Sequence, residues 1–249
     1  MKITIFGNGL IGSQLAAHLV AAGHESVALG RRDGIDTTTG IGLSEAVTAS
    51  DVVVDLTNSP SWADEDVLTF FRSSTRNLLT AEKAAGVRHH VALTIVGADR
   101  LSDSGYMRAK LAQEEAIQGG GVPYSIVRST QFFEFIPGIA EAGTVDGVVH
   151  ATPGALQPIA SADVVSRLAE IVTSAPLEAT VEIAGPEVAG IDALARRYFA
   201  ATGDTRSVVT DPDAGYFGAQ LNSTALIATP GAGAWIAPTT LDDWLRSRA

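Results

Sequence analysis

The sequence has no cysteine. That excludes disulfides, thiolate nucleophiles and cysteine-ligated metals together. It is also poor in basic charge: Lys and Arg number 17 against 28 Asp and Glu, for a net charge of −11. Basic residues gather no further than the pairs Arg31-Arg32 and Arg196-Arg197. A nucleic-acid duplex would meet a repulsive field, so no nucleic-acid partner is expected. One basic pair still suffices for one phosphate. No apolar run reaches the ~18 residues that suggest a membrane span. Met1–Phe6 enters an apolar run directly, without a signal-peptide layout. A soluble cytoplasmic protein with no membrane partner is the expectation. His18, His24 and His150 lie scattered, away from His89-His90, so no metal site is expected.

What is present is a globular composition: 249 residues, 46% hydrophobic and 18% charged. That is ample for an α/β fold with a sizeable core. Ile3–Phe6, Ser26–Leu29, Val52–Leu56, Val91–Ile95 and Ser125–Val127 read as strands, short and continuously apolar as strands buried on both faces are. Helical patterns at Leu10–Ala22, Asp64–Ala85 and Tyr106–Gln118 alternate with them. The alternation predicts a Rossmann-type, doubly wound parallel sheet over residues 1–135. Residues 136–249 are richer in Pro and Gly, with isolated helical stretches at Ala162–Val172 and Ile191–Ala201. They read as a smaller substrate-binding lobe. Phe132–Ile136 reads either as an apolar wall of the site or as core, and Trp235 and Trp244 as packing anchors.

Gly7-Asn8-Gly9-Leu10-Ile11-Gly12 is a G-x-G-x-x-G between a strand and a helix. The first glycine permits a tight turn, the second lets a pyrophosphate approach the backbone, and the third lets helix and strand pack closely. The pyrophosphate then meets the positive end of the helix. An NAD-preferring site carries an acid at the end of the second strand to bind the ribose 2′-hydroxyl. Here Gly30 stands there, followed by Arg31 and Arg32. Guanidinium groups suit a 2′-phosphate, so NADP(H) is preferred and NAD(H) remains possible. Asp33 follows at once and weakens that field.

Tyr106-Met107-Arg108-Ala109-Lys110 spells Y-x-x-x-K. Chance produces such a pair in about one chain in twenty of this composition. The i, i+4 spacing puts phenol and ammonium on one helix face. There the ammonium is expected to lower the phenol's pKa and to hold the nicotinamide ribose. The Tyr then moves a proton near neutral pH.

These features, together with Pro123–Phe132 (PYSIVRSTQF), resemble the short-chain dehydrogenase/reductase superfamily, and more narrowly its atypical, NmrA-like NAD(P)H-binding branch. Asn77–Ala81, Ala85–His89, Gln157–Ile159 and Ala184–Pro186 add to the likeness. The resemblance implies that Tyr106 is the acid/base, on the helix after the fifth strand, and Lys110 its partner. It implies that Thr94 stands where a serine usually orients the substrate carbonyl. It also implies cofactor contacts from Gly7, Asn8, Gly9, Leu10, Ile11 and Gly12, from Arg31 and Arg32, from Thr57 and Asn58 after the fourth strand, and from Lys110, Ser129 and Thr130. The loop is one residue shorter than the superfamily's usual G-x-x-G-x-x-G. The expected function is an NADP(H)-dependent oxidoreductase acting on a small, apolar or aromatic carbonyl compound. A non-catalytic NADP(H) sensor that docks a partner protein, and an isomerase or epimerase, are the alternatives.

Overall fold

The computed structural model describes residues 1–216, 221 and 224–248. Its first nine elements run β1 (Lys2–Phe6), α1 (Leu10–Ala21), β2 (Glu25–Leu29), α2 (Leu43–Ala46), β3 (Val52–Asp55), α3 (Asp64–Ala85), β4 (His89–Ile95), α4 (Gly105–Gln118) and β5 (Tyr124–Ser129). There follow α5 (Ile136–Ala142), β6 (Thr144–Val145), β7 (Val148–Ala151), β8 (Ala155–Leu156), α6 (Ser161–Val172) and β9 (Ala179–Ala184). The remainder are β10 (Ala189–Gly190), α7 (Ile191–Thr202), β11 (Ser207–Thr210), β12 (Trp235–Ile236) and α8 (Leu241–Arg246).

The expected Rossmann-type parallel sheet is present, seven strands in the order β12-β9-β5-β4-β3-β1-β2. Its middle strands are apolar because both faces are covered: Ile3, Ile5, Val53, Val54 and Val91 are fully buried. The chain runs from β1 to the edge strand β2, then crosses back to β3 on the other side of β1. Strand order therefore reverses between β1 and β3, and ligands of such sheets bind beyond the carboxyl ends at this point. The strand before Asn58, expected to be the fourth, is the third. Between β2 and β3 the chain forms a 3-10 turn at Arg31–Asp33, a single bridge Asp36–Ile41 and the short α2, with no paired strand. The helix carrying Tyr106 accordingly follows the fourth strand.

Two compact units divide the chain, Met1–Arg128 with Val164–Val181, and Ser129–Asp163 with Glu182–Ala249. In the first, α3 starts on Asp64, Glu65 and Asp66, acids suited to a helix N-terminus, and stops at Gly86, whose φ of +69° is left-handed. Its Val67 and Phe71 pack on Ala109 and Tyr106 of α4. At Gly105 a Cβ would lie 2.0 Å from Asp64 Oδ1, so a side chain there would displace the Asp64 carboxylate. In the second unit β7 lies between β6 and β11, and β8 pairs with β10. Phe133 is buried, and Trp244 packs on it with ring centres 5.6 Å apart. Glu134 anchors both neighbours, accepting from Ser161 Oγ at 2.6 Å and Trp244 Nε1 at 3.2 Å. Phe135, by contrast, is exposed. Among the described residues no helix is long and apolar enough to cross a membrane.

Candidate functional site

The three glycines of the loop after β1 meet three different surroundings. Gly7 has φ +110°, and a Cβ there would lie 2.5 Å from the Leu56 carbonyl oxygen. Gly12 would bring a Cβ to 1.7 Å from the Gly7 carbonyl oxygen, so α1 packs on the turn only through glycine. Gly9 has nothing within 4 Å of that position. It is the N-cap of α1 and offers no side-chain cap. The helix therefore begins with donors no side chain has claimed, beside open space, which fits a dinucleotide's pyrophosphate.

The end of β2 is joined to this loop through Asp33. Its Oδ2 accepts from Gly30 N at 2.9 Å and Asn8 Nδ2 at 3.1 Å. A side chain at Gly30 would lie 2.8 Å from Asn8 Oδ1. Asp33 is thus engaged with the loop, while Arg31 and Arg32 are exposed beside it.

Beyond β3 and β4 lie two adjoining polar clusters. Asp55 ends β3 and is 1% exposed. Its Oδ1 accepts from Thr57 N at 2.9 Å and Thr57 Oγ1 at 2.6 Å, and its Oδ2 from Gln113 Nε2 at 2.9 Å. The other end of the Gln113 amide accepts from Lys110 Nζ at 2.9 Å. Lys110 Nζ also donates to the Leu93 carbonyl at 3.3 Å and lies 4.2 Å from the Phe71 ring centre. Burial lowers the Lys110 pKa to about 8, although Asp55 and Glu114 oppose that shift. The next residue along β4, Thr94, donates its hydroxyl to Glu114 Oε1 at 2.6 Å. Arg128 clamps both Glu114 oxygens, at 3.0 and 2.7 Å, and reaches Asp99 at 2.8 Å.

Tyr106 meets the turn that follows β3. Its hydroxyl donates to Asn58 Oδ1 at 3.3 Å, and its ring lies 5.4 Å from the Trp62 ring. Burial raises the phenol's pKa to about 12, against the small opposing pull of the Asn58 hydrogen bond. The sequence-based expectation was the opposite. The i, i+4 spacing does place both side chains on one face, but the Lys110 ammonium is turned toward Leu93 and Gln113.

Of the residues expected at the site, the first unit brings Tyr106 to Asn58 and joins Thr57 to Lys110 through Asp55 and Gln113. Thr94 belongs to the adjoining Glu114–Arg128 cluster. Ser129 and Thr130 follow in the second unit, where Ser129 Oγ donates to the Thr130 carbonyl at 2.9 Å. His89 and His90 begin β4 and are buried, against Ser125 Oγ at 2.8 Å and Glu82 Oε1 at 2.9 Å. Sequence reasoning missed Asp55, Gln113, Glu114, Arg128 and Trp62. The first had a readable signal, a carboxylate closing the apolar run Val52–Val54.

A model of the NAD(P)H-binding family matches residues 34–175, a span that begins after the glycine loop and includes all of α4. No curated protein matches the chain. Three solved structures are similar in fold. MoeE5 in complex with UDP-glucuronic acid and NAD has a TM-score of 0.77 at 20% identity, covering 99% of this chain and 97% of its own. A dTDP-4-dehydrorhamnose reductase from Bacillus anthracis str. Ames, in complex with NADP, has 0.72 at 15%, covering 100% and 92%. The NADPH-dependent quinone oxidoreductase QOR2 from Escherichia coli, complexed with NADPH, has 0.65 at 21%, covering 84% and 77%. With the glycine loop at the sheet's switch point and the Tyr106–Lys110 helix inside the matched span, the chain belongs to the NAD(P)H-binding family.

Proposed function

We propose that the chain is an NADP(H)-dependent oxidoreductase that reduces a small, apolar or aromatic carbonyl compound, with Tyr106 as proton donor. The observation that carries this reading is the Tyr106 phenol. It is held protonated by burial, bonded to Asn58 and one helical turn from Lys110. Gly7–Gly12 would hold the pyrophosphate, Arg31 and Arg32 the 2′-phosphate, and Lys110 and the Thr57–Asn58 turn the nicotinamide ribose. Bound there, the reduced cofactor supplies a hydride to the carbonyl carbon. Tyr106 gives its proton to the carbonyl oxygen and regains one from solvent, so the carbonyl becomes an alcohol. Thr94 orients that oxygen by swinging its proton from Glu114 to the substrate. Arg128 keeps both Glu114 oxygens satisfied when it does.

Two expectations follow from the cofactor's side. Replacing Arg31 and Arg32 by Ala should weaken NADPH by about ten- to hundredfold, the worth of roughly 1.5–3 kcal/mol for a charge-assisted contact. NADH, which lacks the 2′-phosphate, should bind almost as before. Calorimetry with both cofactors decides it, and equal losses would place the arginines elsewhere. NADPH affinity should also fall as pH rises through about 8, where buried Lys110 loses its proton. Asp55→Asn removes a carboxylate that holds the ammonium charged and should move the fall to lower pH. A fall that stays put would detach Lys110 from the cofactor.

One observation favours a second reading, an NADP(H) sensor. Thr94 and Lys110 both point their protons at internal acceptors. NADPH oxidation over a panel of ketones, quinones and imines separates the readings, since a sensor binds the cofactor and consumes none.

A further inference from the structure

We infer that Trp62 is the flat wall on which the substrate's ring stacks, so that the site selects planar, conjugated carbonyl compounds. The inference rests on Tyr106 being the proton donor of the reacting site.

Single exposed apolar residues are ordinary on a protein surface. Trp62 is unusual in its position. It is 64% exposed, yet its ring centre lies 5.4 Å from that of Tyr106, inclined at 40°. On another side Tyr106 meets the edge of Phe71 at 6.1 Å and 80°. The phenol is thus fixed between a buried ring and an exposed one.

The segment bearing the indole is also pinned. Ser61 Oγ donates to Asp66 at 2.8 Å and accepts from Ala63 N at 3.2 Å, and Ser59 Oγ accepts from Ser61 N at 3.2 Å. Asn58 Oδ1, which receives the Tyr106 hydroxyl, also receives Ser59 N at 3.0 Å. At the start of α3, Asp64 accepts from Arg108 of α4 at 2.7 Å. The backbone that carries the indole is therefore ordered before a ligand arrives, which lowers the cost of binding.

Offset or tilted ring pairs are favoured at centroid separations of about 4.5–7 Å. A ligand ring stacked on the indole keeps a conjugated carbonyl in the ring's own plane. A saturated ring of equal size puckers and forfeits both the stacking and the in-plane carbonyl.

The test uses the full chain loaded with NADP+, which has no hydride to give, and two matched probes, acetophenone and cyclohexyl methyl ketone, with binding measured by calorimetry. The wild type should bind the aryl ketone more tightly. Trp62→Leu should erase that preference, a loss of about tenfold, and leave the aliphatic ketone and NADP+ unchanged. Trp62→Phe should retain most of it. A wild type that shows no aryl preference, or a Trp62→Leu variant that keeps it, overturns the proposal. Loss of the preference in Trp62→Leu, beside undiminished turnover in Tyr106→Phe, would keep the wall and sink the Tyr106 reading. The reverse pattern would sink the wall alone.

Discussion

Tyr106→Phe is expected to cut carbonyl reduction by about 10² or more, the range removed with a general acid. The substitution keeps the ring on Trp62 and Phe71 and removes only the hydroxyl that donates to Asn58. NADPH affinity should barely change. Because burial holds the phenol up at about 12, it carries its proton across the whole neutral range. The wild type should therefore show no loss of the acid below pH ~10. Lys110→Met should damage both turnover and cofactor binding, since it also leaves the Gln113 amide oxygen without its donor. Steady-state kinetics on the three proteins reads all of this. Full activity in Tyr106→Phe would transfer the chemistry to other residues or leave the sensor reading.

Gly9→Val is expected to abolish dinucleotide binding while the protein stays folded. An added Cβ at Gly9 meets nothing within 4 Å, so the fold has room for the side chain that the pyrophosphate needs empty. The neighbouring glycines make poor probes. At Gly12 the new atom would strike the Gly7 carbonyl at 1.7 Å, and at Gly7 it would strike Leu56 at 2.5 Å in a left-handed backbone. Loss of binding there would report misfolding. Calorimetry with NADPH, with thermal unfolding as the folding control, settles the Gly9 case. Unchanged affinity in a folded Gly9→Val variant would move the cofactor off this loop.

The first unit was legible because its signals are periodic or bounded. The bounds read from sequence for α3, Asp64 to Ala85, are those of the structure, since acids open the helix and Gly86 closes it. The strands around Val53 and Val91 declared themselves by unbroken apolar runs. In residues 136–249, α6 and α7 were readable and the short strands were not. β6, β8 and β10 have two residues each, too few to show a period of two. α5 and α8 are also only a turn or two long. At the site, Y-x-x-x-K fixed which residues share a helix face, but not where a long ammonium turns. That depended on Asp55, 58 residues from Gln113 in sequence, orienting the amide that Lys110 meets. The same distance effect hid the Thr94 proton, which goes to Glu114, and the contact that sets Trp62 against Tyr106.

The most direct test of the central claim follows a labelled atom. NADPH carrying deuterium at nicotinamide C4, prepared as each stereoisomer, is incubated with the full chain and a panel of aryl ketones and quinones. Products are examined by mass spectrometry and NMR. The account predicts that one stereoisomer delivers a single deuterium to the former carbonyl carbon of a ketone on the panel, and that Tyr106→Phe slows this transfer by about 10². Tight binding of NADPH with no deuterium in any product would contradict it.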